Sequence, residues 1–189
     1  MSILYLPQIQ KARRVTGKTL VFRDATITDA EFILMLRTHE KKSRHLSPVS
    51  NDIESQQAWL ARYAQMQDQA YFIIEFEGKF IGTVRCYDAR EDSFCWGSWV
   101  LINNSPRHAA IESALMVYAY ALDYLKFNRA HFDVRKGNKR VWKFHERFGA
   151  IRVGEINDDY LYHLERLTIE TSRQRYRKFL PNSVAVEKG

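Results

Sequence analysis

Two stretches of this chain carry residues whose types and spacing could do chemistry. The first is "WVLINNSPRHAAIESALM", Trp99 to Met116. β-forming residues run through a short polar loop into a helix, with Ser105 placed to be its N-cap and Pro106 its first residue. The leading amides of such a helix have no partner within it, and the helix dipole adds positive potential. An anion placed there gains roughly 0.3–2 kcal/mol from the dipole, besides its hydrogen bonds. Arg107, in the first turn, could clamp a phosphate through two parallel N–H donors. The second stretch is "NKRVWKFHERFGA", Asn138 to Ala150. It reads as a short helix capped by Asn138, with Val141, Phe144, His145 and Phe148 on one apolar face and Gly149 where a left-handed C-cap belongs. Imidazole titrates near neutrality, so His145 could act as a general acid; the plainer reading is a core histidine satisfied by a backbone carbonyl.

The chain that must hold these residues has 189 of them, enough for one domain with a real core. No internal repeat, low-complexity tract or linker divides it. Its net charge of +7 favours an anionic partner: nucleic acid, a membrane surface or a phosphorylated small molecule. Lys136, Arg140, Lys143 and Arg147 are spaced to share one helix face and, with the basic C-terminal segment "SRQRYRKF", would suit a non-catalytic nucleic-acid-binding module. A solvated face is the simpler account, so nucleic acid is not the expected partner. No apolar run reaches the roughly 18 residues that span a bilayer. In the opening "MSILYLPQIQKARR" the basic residues follow the apolar patch, the reverse of a secretory signal. The expectation is a cytoplasmic protein in which Cys86 and Cys95 are buried free thiols. No Cys/His spacing suits zinc, and no metal is expected.

The elements that position the two stretches follow from periodicity. Residues 1–18 read as an irregular arm and "TLVFRDA" as a first strand. Thr28 with Glu31, then Asn51 with Glu54, read as capping boxes that open two helices. "AYFIIEFE" and "KFIGTVRCY" flank Gly78 as a hairpin, "DARED" is the next turn, and "SFCWGSWVLI" a third antiparallel strand. Ile111, Leu115, Tyr118, Leu122 and Leu125 recur at helical spacing and predict a long, strongly amphipathic helix. "RAHFDV" is a strand, "AIRVGEI" and "DYLYHLERL" are two more, and a basic helix over about 168–180 closes the chain. The order is that of an α/β sandwich with a mixed sheet.

Set in that order, "RHAAIESALM" resembles the acyl-CoA pyrophosphate motif of the GCN5-related N-acetyltransferase (GNAT) superfamily: Arg or Gln, two residues of any kind, Gly, one of any kind, then Gly or Ala. As in that family, the segment follows a strand and opens a helix. "NKRVWKFHERFGA" resembles the family's second signature, which begins at Asn and has Tyr where this chain has His145. The resemblance implies an α/β (α+β) fold with a GNAT-like mixed, mostly antiparallel central sheet flanked by helices and an extra C-terminal helix. The acetyltransferase domain would span 19–167, after an arm at 1–18 and before a C-terminal helix and tail at 168–189.

What the resemblance implies for function is an acyl-CoA-dependent N-acetyltransferase that moves an acetyl group from acetyl-CoA to a primary amine, with acetyl-CoA as co-substrate. Pantetheine would pair with the backbone of Val100, Leu101 and Ile102, and an N–H near Leu101 would polarise the thioester carbonyl. The pyrophosphate would lie on Arg107, His108, Ala109, Ala110 and Ile111. Asn138 would hold the pantetheine arm, and His145 would protonate the departing thiolate. Two positions depart from the family. Ala110 adds a methyl where the family keeps glycine, and Glu112 brings a carboxylate near the anion site, so a degenerate GNAT fold with a weakened cofactor site is the alternative. "SFCWGSWVLI" lacks the glutamate that serves some members as general base, leaving Ser98 (through water), His39 and His45 as candidates. Arg37, Arg44, His45 and Ser47 would shape the acceptor site. "WGSW", Trp96 to Trp99, and the ending "DYLYHLERLTIETSRQRYRKFL" are similar to the nucleotide-sugar branch, which acetylates amino groups of nucleotide-linked sugars. The RimJ/RimL-like branch, which acetylates protein N-termini, shares the same core. A homodimer is compatible with either branch.

Overall fold

β-branched and aromatic residues crowd the middle of the chain, and they build the centre of one sheet. The computed structural model describes residues 6–39 and 51–189. The strands are β1 (Ala12–Thr16), β2 (Leu20–Asp24), β3 (Ala70–Phe76), β4 (Lys79–Arg90), β5 (Ser93–Leu101), β6 (Arg129–Arg135), β7 (Ile151–Ile156), β8 (Asp159–Glu165) and β9 (Ala185–Lys188). They lie in the order β7-β8-β6-β5-β4-β3-β2-β1-β9. Neighbours are antiparallel except β5 and β6, which are parallel. The helices are α1 (Ala30–Thr38), α2 (Ile53–Gln65), α3 (Ala109–Ala119), α4 (Lys139–Arg147) and α5 (Arg166–Arg175). This is the mixed, mostly antiparallel sheet flanked by helices that the sequence predicts. No helix among the described residues is long and apolar enough to cross a membrane.

The sheet divides two cores. Ala30 and Ile33 of α1 and Leu60 and Tyr63 of α2 meet Tyr71 and Ile73 of β3 on one face. On the other, α3, Phe148 and Ile169 cover Phe22, Phe72, Phe94 and Phe132. α3 is buried on every side, not amphipathic: from Glu112 to Ala119 each residue is buried. Its outer side is covered by elements the pattern did not anticipate. Residues 12–16, read as part of an irregular arm, form β1, which pairs with both β2 and the C-terminal β9. The β1–β2 turn lies so close to α3 that a Cβ on Gly17 would stand 2.5 Å from the Met116 sulfur.

Other boundaries shift for local reasons. The first capping box is at Thr26 and Asp29, where the Asp29 carboxylate accepts from the Thr26 amide at 2.7 Å, not at Thr28 and Glu31. Asp52, not Asn51, caps α2 and accepts from the amides of Glu54 and Ser55. β4 runs on through Arg90, absorbing most of the predicted "DARED" turn. The basic C-terminal helix is shorter and earlier than 168–180, at Arg166–Arg175. α4 ends as its sequence demands, with Gly149 at φ +94°. Lys136 lies before α4, 3.2 Å from Glu155, so the four basic residues do not share one helix face.

Candidate active site

Two features of the sheet create the site. β5 and β6 pair only at Ser93–Arg129 and Phe94–Ala130, then continue without pairing to Leu101 and Arg135. A parallel pair therefore opens into a V. On its other edge β5 pairs with β4, but Thr83 lies opposite Val100 and Arg85 opposite Gly97. Ser98 and Trp99 thus face the single residue Val84, a β-bulge with Ser98 at φ +47°. The bulge breaks strict alternation and aims Trp96 and Trp99 to the same face. There the Trp96 indole N–H donates to the Tyr118 hydroxyl and that of Trp99 to Ser113 Oγ.

A cavity of about 390 Å³ fills the V. On the α4 side its walls are apolar and aromatic. His145 is 5% exposed, with ring centroids of Phe132 at 4.2 Å and Trp96 at 5.1 Å. Its Nδ1 is buried and has no hydrogen-bond partner among the described residues. Burial in this cage pushes its pKa down to about 3, which corrects the expectation of an acid poised near neutrality: the ring is neutral. Asn138 opens α4 through its backbone alone. Its side chain makes no cap hydrogen bond and lines the cavity.

On the α1–α2 side the lining is charged and aromatic. Arg85 stacks over Tyr87 at 4.3 Å, and its buried Nε has no hydrogen-bond partner among the described residues. Arg37 donates to Ser98 Oγ at 3.4 Å. A cation donating to that hydroxyl opposes its taking up a proton, which argues against Ser98 as the base. Asp133 faces the cavity from β6. Desolvation by the walls and then the charge of Asp159 hold its carboxyl above the usual range. Asp159 itself pairs with Arg135 at 3.4 Å. Trp59 and Tyr71 complete this wall. Arg85, Asp133 and Asp159 were not singled out from the sequence. The available signal was a charged residue between buried neighbours in a central strand: Arg85 between Val84 and Cys86, Asp133 between Phe132 and Val134. His39 ends α1 exposed and does not line the cavity, while Arg44, His45 and Ser47 lie outside the described residues.

The predicted anion site stands beyond the open end of β5. Arg107 and His108 form a turn, closed by Ala109 N–H to Pro106 O, and α3 begins three residues later than predicted. The amides of Arg107, His108, Ala110 and Ile111 make no backbone hydrogen bond among the described residues. Glu112 does not intrude. Fully buried, it turns to the β1–β2 turn and accepts from the amides of Thr19 at 2.6 Å and Leu20 at 2.9 Å, and from the Thr19 hydroxyl at 2.7 Å. Such charge-assisted bonds contribute about 1.5–3 kcal/mol each, so Glu112 is a structural anchor. Ile102 N–H donates to Ile81 O, so it is not available to pantetheine. Strand alternation turns the peptide of Leu101 the other way, toward the V.

A family profile described as "Acetyltransferase (GNAT) domain" matches residues 19–151, most of the chain and both motif stretches. The chain belongs to the GNAT acetyltransferases. It is similar to a structure titled "Apo FdhC- a nucleotide-linked sugar GNAT", at 35% identity, TM-score 0.79, covering 88% of this chain and 98% of that one. A GCN5-related N-acetyltransferase from Brucella melitensis shares the fold at 17% identity and TM-score 0.74, over 94% of this chain and 90% of that one. So does a spermidine N-acetyltransferase from Vibrio cholerae in complex with CoA and spermine, at 15% identity and TM-score 0.68, over 80% and 98%. A search among curated proteins finds no match.

Proposed function

We propose that this N-acetyltransferase moves the acetyl group of acetyl-CoA to a primary amine on a nucleotide-linked amino sugar. The observation that carries the acceptor assignment is the Arg85 guanidinium, stacked on Tyr87 with a buried Nε that has no hydrogen-bond partner among the described residues, in a cavity also lined by Arg37, Trp59 and Tyr71. Arginine forks suit the oxygens of a diphosphate, and aromatic walls suit a planar base. The similarity to the nucleotide-linked sugar GNAT supports the same reading.

The residues present fit acetyl-CoA. The amides of Arg107, His108, Ala110 and Ile111, without a backbone hydrogen bond among the described residues, suit its pyrophosphate, and Arg107 is exposed beside them. Ala110 is compatible because it lies in the first turn of a helix, where φ is negative. Asn138 is placed for the pantetheine arm, and His145, whose Nδ1 has no hydrogen-bond partner among the described residues, lines the cavity where the thioester would enter. Acetyl-CoA, when bound, supplies the activated acetyl group. His145 stays neutral and can give a ring N–H to the sulfur as negative charge develops there; it does not arrive as imidazolium.

The test is thiol release from acetyl-CoA with three acceptors: a nucleoside-diphosphate-linked aminodeoxyhexose, spermine and a peptide with a free N-terminus. The account predicts turnover of the first. Arg85→Ala should raise its KM about 10- to 100-fold, the effect of losing one or two charge-assisted hydrogen bonds. Preference for the peptide, with Arg85→Ala neutral, would transfer the chain to the protein N-terminal branch.

A further inference from the structure

We infer that Asp133 is the group that takes the proton from the acceptor amine. The inference rests on the acetyltransferase reading above and adds the base that reading lacks. Asp133 stands on β6 beyond the last β5–β6 pair, so its carboxylate faces the cavity where the strands have parted. Among the described residues it makes no ion pair and no hydrogen bond to another side chain; its own backbone N–H donates to the carboxylate, which leaves the other lone pairs for a ligand.

The other candidates in the cavity are each disqualified by their surroundings. Ser98 Oγ accepts from Arg37. Asp159 is held by Arg135. His145 lies on the apolar side, where burial makes its ring a weak base. The groups whose charge acts on Asp133 are Asp159 from β8, Arg135 on its own strand and Arg90 from β4, with Tyr87 of β4 and Cys95 of β5 close enough to feel it. Desolvation and Asp159 win over the two arginines, so the carboxylate is more basic than a solvated one.

The step balances. The ammonium form of the acceptor gives one proton to the Asp133 carboxylate, directly or through one water. The freed nitrogen lone pair forms the C–N bond at the thioester carbonyl, and the C–S bond breaks with its electron pair on sulfur. The amide nitrogen then sheds its second proton to solvent, the thiolate takes one from solvent, and Asp133 returns its own, giving one amide, one thiol and one released proton.

Asp133→Asn and Asp133→Glu test this with the full chain, reading thiol release on the aminodeoxyhexose substrate. At neutral pH, Asp133→Asn should lower kcat by about a hundredfold or more, with the acetyl-CoA KM within about twofold of wild type and part of the rate restored by Asp133→Glu. The deficit should shrink as pH rises past the pKa of the amine, since a neutral amine needs no base. A purely structural loss would be the same at every pH. A kcat within about threefold of wild type, or a deficit independent of pH, would overturn the assignment. If wild type itself releases no thiol with any of the three acceptors, the proposed function fails with it. Full turnover by wild type and by Asp133→Asn alike removes Asp133 alone.

Discussion

The closed and open ends of the β5–β6 junction are built from the same two strands, yet they treat polar groups in opposite ways. At the closed end His131 has a partner on each ring nitrogen: Ser93 Oγ at 2.7 Å on Nδ1 and Asp88 at 3.3 Å on Nε2. Arg129 Nε lies 2.8 Å from Asp92 Oδ1 beside them, an ion pair without hydrogen-bond geometry. These contacts tie β4, β5 and β6 together where the main chains pair. A few residues on, among the described residues, the buried His145 Nδ1 and Arg85 Nε have no hydrogen-bond partner, and the exposed Asp133 has no ion pair. Leaving a buried polar group unpaired costs about 1–3 kcal/mol. One end therefore spends its polar chemistry on holding strands together, and the other holds it in reserve for a ligand.

The two histidines sharpen the contrast. Burial lowers both pKa values, but Asp88 pulls His131 back, whereas nothing offsets the desolvation of His145. A folded-state pKa below the unfolded value means that the unfolded chain takes up the proton first as pH falls. The stability tied to neutral His145 is thus present above about pH 6.5 and lost on acidification through pH 3. His145→Phe should remove up to about 1.4 kcal/mol per pH unit of that acid sensitivity, checked by denaturant titrations at neutral and acid pH. Its larger effect should be kinetic, a fall in kcat of about 10- to 100-fold with the fold intact. Unchanged turnover would leave His145 a packing residue and erase the contrast. Ser93→Ala, at the closed end, should do the opposite and more weakly. Stability drops by about 1 kcal/mol, read as a shifted denaturant midpoint, while kcat and both KM values stay within about twofold.

The same division explains what the sequence made legible. The two stretches proposed to hold acetyl-CoA could be singled out because their signals are local: a strand running into a helix at "SPRHAA", and an apolar face with Gly149 behind it. The acceptor side is assembled from residues scattered over α1, α2, β3, β4, β5, β6 and β8. Arg85 and Asp133 acquire meaning only when β5 and β6 separate, which no spacing within one strand encodes. β9 was missed for the same reason, since "AVEK" becomes a strand by pairing with "ARRVT" across the length of the chain, whereas β1 also pairs locally with β2. His145 was legible as a residue type in the right place. Its ionisation was not, because Trp96 and Phe132 set it from other strands. Glu112 reads as a misplaced anion until the β1–β2 turn is seen to receive it.

Thermal unfolding of the wild-type chain with and without acetyl-CoA tests the central claim most directly, because it needs no acceptor. A ligand at about 100 times its Kd stabilises by about 2.7 kcal/mol, roughly 5–10 °C for a chain of this size. The account predicts a rise in that range for wild type and a clearly smaller one for Arg107→Ala at the same concentration, with the unliganded Tm unchanged. No shift in wild type with acetyl-CoA at millimolar concentration would contradict it.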